Sequence, residues 1–379
     1  MERFALSRMK EWKENENRKP LIIRGARQVG KTWIMKTFGQ QYFEKTAYVN
    51  FDNNARMKQV FEGDLDIERL VLSISAETGV SIEAENTLII FDEVQEVPKA
   101  LTSLKYFHEN APQYAIVAAE SLLGVALHQG TSFPVGKVDF LDLYPLNFRE
   151  FLCAMGEKQF VSMLDSCDTQ MVTVFKTKYI ERLREYYFVG GMPEVVKDFS
   201  EKKDYNRVRA IQKNLINYYQ QDFSKHAEIK LVPRLNLVWN SIPMQLAKEN
   251  KKYIYGQVRE GSRAKDFELA IQWLLDCGLI HKVQRIQKPD LPLKAYIDFD
   301  AFKLFLVDIG LLIAMTDLDA KVIIEGNKIF TEFNGSLTEQ YILQQLISDV
   351  GVIPYYYSTQ NSKGEIDFLV QGKTSVIPI

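Results

Sequence analysis

Two groups of residues have the types and spacing to do chemistry. Gly25-Ala26-Arg27-Gln28-Val29-Gly30-Lys31-Thr32 reads G-x-x-x-x-G-K-T, the pattern of a phosphate-binding loop. The two glycines let the backbone curl so that successive N–H groups face the phosphates. Lys31 then reaches the β- and γ-phosphates, and the Thr32 hydroxyl supplies a ligand to Mg²⁺. The helix that starts there offers its positive end to the same anion. The bland alternative is a Gly-rich turn without a ligand. Against it stand the buried-type run Pro20-Leu21-Ile22-Ile23-Arg24 ahead of the loop and the helical stretch Trp33–Gln41 behind it.

The second group is Thr87-Leu88-Ile89-Ile90-Phe91-Asp92-Glu93. Four apolar residues ending in Asp-Glu describe a strand buried on both faces that delivers two carboxylates at its carboxyl end. In an open parallel sheet that edge also carries the phosphate loop. Asp92 is the candidate metal acid, directly or through water, and Glu93 the candidate base that polarises an attacking water. Ala115–Ala119 is a further buried-type strand, followed by Glu120-Ser121. Ser121 is a candidate sensor of the γ-phosphate, the alternative being a helix N-cap.

The elements that must position these residues can be read in order. Phe4, Leu6, Met9 and Trp12 give a lead-in helix within 1–19, and 46–51 a strand. Residues 56–83 are mixed helix and loop, and 138–143 is one more strand. Residues 148–187 are helical in pattern and break at Gly190-Gly191-Met192-Pro193. Further helices are expected over 203–220, over 232–252 with interruptions, and from Gly261-Ser262-Arg263-Ala264-Lys265 to Cys277. A strand at 279–283 and a Pro-rich turn follow. Helix, helix, strand and basic hairpin outline a winged helix whose basic face would hold Arg263, Lys265, Lys282, Arg285 and Lys288. The alternative is a packing module with solvated charges. A helix around 337–347 and strands at 352–357, 365–370 and from 375 complete the chain. The reading is α/β with three blocks: an ATPase-type domain at 1–195, a helical and winged-helix module at 196–300, and an incomplete C-terminal α/β region at 301–379.

Composition sets the bounds. The 379 residues are 46% hydrophobic and 25% charged, ordinary for a globular protein of more than one domain. No apolar run approaches the ~20 residues of a membrane helix. Met1-Glu2-Arg3-Phe4 lacks a signal-peptide layout, and Cys153, Cys167 and Cys277 suggest neither disulfides nor zinc, so a cytoplasmic home is expected. The net charge of −2 is uneven. Residues 201–290 carry 17 Lys and Arg against 10 Asp and Glu, while 301–379 carry 5 against 9. If any segment meets DNA electrostatically, it is the middle one.

Taken together, the chain resembles prokaryotic ATP-binding proteins in which an AAA-type ATPase of the signal-transduction-ATPase-like branch is fused to a C-terminal nuclease-like region. The motifs behind the resemblance are 25–32, Phe-Asp-Glu-Val-Gln at 91–95, Ser-Phe-Pro-Val-Gly-Lys at 132–137 and Leu-Tyr-Pro-Leu at 143–146. They continue with Gly-Gly-Met-Pro-Glu at 190–194, Gly-Ser-Arg-Ala at 261–264, Asp-Ile-Gly-Leu-Leu at 308–312 and Glu-Ile-Asp-Phe at 365–368. The resemblance implies ATP and Mg²⁺ as cofactors, Lys31 and Thr32 as phosphate and metal residues, Asp92 as metal acid and Glu93 as catalytic base. It also implies a restriction-endonuclease fold of the PD-(D/E)xK type at the C-terminus, where Glu339 and Asp367 match the helix and strand metal positions.

Two departures follow. The chain stops at Val376-Ile377-Pro378-Ile379, where the family continues into Glu-x-Lys, so a truncated region without nuclease activity is expected. Glu120 stands where the family has Gly, and a carboxylate near the γ-phosphate would repel it. No Arg lies between Lys105 and Arg149, which leaves no arginine finger ahead of the last strand. The expected function is an ATP-driven switch with slow hydrolysis, in which the γ-phosphate biases how the winged-helix and C-terminal blocks dock; DNA through 201–290 or a protein would be its partner. The alternatives are a nucleic-acid-processing protein with a nuclease-like effector, and an interaction scaffold in which the nucleotide is structural.

Overall fold

The computed structural model describes residues 2–121, 134–248, 252–325, 328–359 and 364–379, with the side chains at 121 and 328–334 outside the description. Residues 132 and 133 of the 132–137 motif therefore lie outside the described residues. The chain forms two compact units, Arg3–Tyr144 and, with the first two residues, Pro145–Ile379. By compactness the division thus falls at 144/145, ahead of the helices that the sequence reading counted with the first block.

The first unit is built on five parallel strands: β1 (Leu21–Gly25), β2 (Lys45–Asn50), β3 (Thr87–Asp92), β4 (Ala115–Ser121) and β5 (Asp139–Asp142). Their order across the sheet is β2-β3-β4-β1-β5. Every residue of β3 is buried, as a strand covered on both faces requires. Ile22, Ile89, Phe91, Ile116 and Ala118 pack with residues of three helices, α3 (Ala55–Glu62), α4 (Ile67–Thr78) and α5 (Pro98–Asn110). Phe51, Phe61 and Phe91 meet edge to face there, with centroids 5.4–5.6 Å apart. Helix α2 (Lys31–Tyr42) packs on β1 to β4 with Ile34, Met35 and Phe38 buried, and α1 (Ala5–Glu14) lays Trp12 against Phe38. The stretch expected to be mixed, 56–83, resolves into α3 and α4, capped by the side chains of Asn54 and Asp66.

The second unit opens with helices: α6 (Phe148–Ala154), α7 (Lys158–Asp165), α8 (Thr169–Val174), α9 (Lys176–Val189), α10 (Pro193–Lys202), α11 (Tyr205–His226), α12 (Val232–Leu246), α13 (Tyr255–Val258) and α14 (Ala264–Asp276). Strands β6 (Ile280–Ile286) and β7 (Ile297–Leu306) follow, then α15 (Ile309–Met315), α16 (Ala320–Glu325) and α17 (Lys328–Gln345). The last strands are β8 (Tyr355–Ser358), β9 (Glu365–Gln371) and β10 (Val376–Pro378). A mixed sheet of order β10-β9-β8-β6-β7 joins them. The hairpin read as a wing, β6–β7, is one edge of this sheet, because β6 also pairs in parallel with β8. The boundary expected at 300/301 falls inside β7.

Two of the sequence motifs and the last residue of a third meet in a buried node of this unit. The Asp308 carboxylate accepts hydrogen bonds from the Gly191 amide at 2.6 Å, the Leu311 amide at 3.1 Å and the Gln344 side chain at 3.2 Å. Gln344 also donates to the Tyr186 hydroxyl, which donates to the Leu146 carbonyl. A Cβ on Gly191 would come within 2.1 Å of the Leu146 carbonyl oxygen, so only glycine fits. Motifs 190–194 and 308–312, with Leu146 of 143–146, are thereby accounted for by packing. No helix among the described residues is long and apolar enough to cross a membrane. Asp308→Ala, which strands three buried donors, is expected to lower unfolding free energy by ~3–5 kcal/mol in urea denaturation. Asp317→Ala, which removes an exposed acid paired with Lys213, should leave the urea midpoint essentially unchanged.

Candidate functional site

The strand order decides where the chemistry collects. Because β1 to β5 are parallel, the loop after β1, the acids ending β3 and Glu120-Ser121 ending β4 all reach the same sheet edge. Ala26 and Val29 are buried and anchor the loop, while Arg27 and Gln28 face outward. A Cβ on Gly25 would lie 2.3 Å from the Leu143 carbonyl oxygen, and Gly30 has φ +95°, so the two glycines of the motif are required by geometry. Arg3 braces the turn: it donates to the carbonyls of Val29 at 3.1 Å and Tyr144 at 2.6 Å.

Lys31 opens α2 with its ammonium on the carbonyls of Gly25 and Ala26, both at 2.9 Å. Burial lowers its pKa to about 8, against the pull of Glu93 and Asp92. The Thr32 hydroxyl donates to Asp92 Oδ2 at 2.7 Å, and the Tyr48 hydroxyl donates to the same oxygen at 2.9 Å. Thr32 and Asp92 thus form a hydroxyl–carboxylate pair, a donor set that fits a hard cation such as Mg²⁺ beside a phosphate loop. Glu93 has a left-handed backbone, φ +52°, strained for a non-glycine residue, and its carboxylate accepts from the Gln95 side chain. Ser121 pairs by backbone with Gly25, and its side chain lies outside the described residues.

Sequence reasoning missed Arg3, Tyr48 and Gln95. Tyr48 sits diagonally across from Asp92, since Asn50 is Asp92's partner on β2, and nothing local in the sequence signals that. Arg149 carries ion pairs to Asp165 and Asp349 within its own unit.

The second expected metal pair, Glu339 and Asp367, is brought together in the C-terminal sheet around a residue the sequence reading did not single out. Lys303, 1% exposed, places its ammonium 3.1 Å from Glu339, 2.7 Å from Glu365 and 3.8 Å from Asp367. Burial opposes its charge, but Glu339 and Glu365 outweigh burial and its pKa is raised. The available signal was one lysine inside the apolar run Ala301-Phe302-Lys303-Leu304-Phe305-Leu306. Among the described residues no group of three or more His, Cys, Asp or Glu is arranged to hold a metal.

Glu120 is a buried acid in the first unit. It is 1% exposed, and among the described residues neither carboxyl oxygen has a hydrogen-bond partner. Its cross-strand neighbour Arg24 turns instead to Asp142, in two hydrogen bonds of 2.9 and 3.1 Å, and lies over the Phe140 ring. Burial pushes the Glu120 carboxyl up to about 7, opposed by Arg24 and Lys31. The folded chain therefore keeps a proton that the unfolded chain loses near 4.5, and stability falls as pH rises between those values. Glu120→Gln should stabilise the chain at pH 8 by ~2–3 kcal/mol and have little effect at pH 4. Thermal or urea denaturation at the two pH values checks this.

An AAA domain matches residues 17–152. Domains of unknown function match 180–322 (DUF8612) and 334–379 (DUF4143). No curated protein matches the chain. Among solved structures, a Walker-type ATPase of Pyrococcus abyssi is similar with TM-score 0.50 and 14% identity, over 83% of this chain and 95% of that one. The Aeropyrum pernix ORC1 protein in complex with DNA aligns with TM-score 0.29 and 12% identity, over 82% and 91%. The Thermotoga maritima RuvB protein aligns with TM-score 0.35 and 10% identity, over 73% and 87%. At 14% identity the likeness to the Pyrococcus abyssi ATPase is one of fold alone. Residues 17–152 thus carry an AAA domain, with its phosphate loop on a five-stranded parallel sheet, the build of a P-loop ATPase.

Proposed function

We propose that the chain binds ATP with Mg²⁺, hydrolyses it, and works as a nucleotide-driven switch. The observation that carries this reading is the Thr32–Asp92 hydrogen bond at 2.7 Å, beside Lys31 on the same sheet edge. It joins the two halves of a phosphate-transfer site that lie far apart in sequence. In this reading the loop amides from Gly25 to Gly30 and the Lys31 ammonium hold the β- and γ-phosphates. Thr32 and Asp92 would hold Mg²⁺, which supplies charge neutralisation at the phosphate oxygens. Tyr48 fixes the Asp92 carboxylate. Glu93, steadied by Gln95, orients and polarises the attacking water, and Ser121 senses the γ-phosphate.

The switch part of the proposal rests on the joining of this domain to a second compact unit with its own core. A protein partner and a cytoplasmic setting complete it. The reading as a nucleic-acid processor with a winged helix and a nuclease-like effector has less behind it. Arg285 and Lys288, expected on a basic face, are paired with Asp298 and Asp290, and Lys303 already supplies a cation to Glu339, Glu365 and Asp367.

Lys31→Ala is expected to weaken ATP binding at least ~10-fold. Glu93→Gln should keep affinity and lower turnover ~10²-fold or more. Calorimetry and phosphate release measure the two. Unchanged affinity in the first variant together with unchanged turnover in the second would remove the proposal.

A further inference from the structure

Glu120 has no task in the reaction described above, yet it occupies a demanding place. It is the penultimate residue of β4, the strand between the loop-bearing β1 and the acid-bearing β3. The next residue, Ser121, is register partner of Gly25, the first residue of the phosphate loop. The groups that face its carboxyl are Arg24 from β1 and Lys31 from α2. Asp142 on β5 takes both hydrogen bonds of Arg24. Asp92 at the end of β3, Glu93 just after it and Arg27 in the loop complete the local charge through their action on Lys31. A buried carboxyl whose oxygens have no hydrogen-bond partner among the described residues is costly to keep, and of the two cations acting on it Arg24 is held by Asp142, while the other is Lys31, the lysine of the phosphate loop.

We propose that Glu120 sets the preference between nucleoside triphosphate and diphosphate, admitting the γ-phosphate when its carboxyl carries a proton and opposing it when ionised. The proposal rests on the reading of the loop as an ATP site. As a neutral acid, Glu120 is a hydrogen-bond donor to a γ-phosphate oxygen. As a carboxylate it is a like charge in a dry setting, where repulsion is felt far more than in water. A diphosphate stops short of that position and meets neither effect. Binding of ATP, but not of ADP, therefore draws a proton onto Glu120. Its rise to about 7 puts this exchange near neutrality.

The test is calorimetry with MgATP and with MgADP from pH 6 to 8.5, on the full chain and on Glu120→Gln, each in two buffers of different ionisation enthalpy. For the parent chain the ratio of ATP to ADP affinity should fall about 10-fold or more across this range. In Glu120→Gln the ratio should vary less than about 3-fold, because the amide donates at every pH. Proton uptake by the parent chain near pH 7.5 should be larger with ATP than with ADP, a readout that does not depend on the variant folding. Equal uptake with both nucleotides, or the same pH slope in parent and variant, overturns the role of Glu120 while leaving the ATP site intact. Absence of binding by either nucleotide at every pH overturns the ATP reading itself.

Discussion

A parallel sheet covered on both faces can carry polar groups only at the ends of its strands. That constraint organises the catalytic unit. In β3 all six positions are buried, and the one ionisable side chain, Asp92, comes last. In β4 the apolar run Ala115–Ala119 gives way to Glu120 and Ser121, and in β1 Leu21–Ile23 gives way to Arg24 and the loop. With all strands parallel, these ends share one edge, so burial of the middle of the sheet assembles the chemistry at its rim. The Thr32–Asp92 contact is the point where the first and third strands of the sequence close that rim.

The molecule handles its buried charges in three ways. Asp308 is surrounded by donors from three segments and serves as a structural rivet. Lys303 is matched by carboxylates from α17 and β9, so that a strand interior tolerates an ammonium. Glu120 is neither, and its carboxyl rises because burial outweighs the pull of Arg24 and Lys31. A buried carboxyl with no hydrogen-bond partner among the described residues is kept at a cost in stability, and the action of the phosphate lysine on it gives the cost a functional reading.

Much of this was legible from residues in order. The loop at 25–32 has fixed spacing, and its chemistry is local, so the sequence located it. The β3 acids were legible because a run of four apolar residues can end in carboxylates at only one place. The helices and strands of both units follow the expected order, and the broad 56–83 stretch separated into two capped helices. What escaped depends on pairing across the sheet. Tyr48 reaches Asp92 only through the β2–β3 register, and Arg3 reaches Val29 only because α1 returns to the loop. No linker composition marks the compactness division after Tyr144. The β6–β7 hairpin looked self-contained, since β8, which pairs with β6, lies roughly 70 residues further on in sequence, a separation that periodicity does not bridge.

The central claim is that loop and β3 acids act together on a metal-bound nucleotide. Phosphate release from ATP, measured while Mg²⁺ is titrated for the parent chain and for Asp92→Asn, tests it most directly. The account predicts turnover that saturates with Mg²⁺ in the parent chain, and in Asp92→Asn either no turnover or a requirement for much more metal. Turnover that ignores Mg²⁺, or that is the same in both proteins, would contradict it.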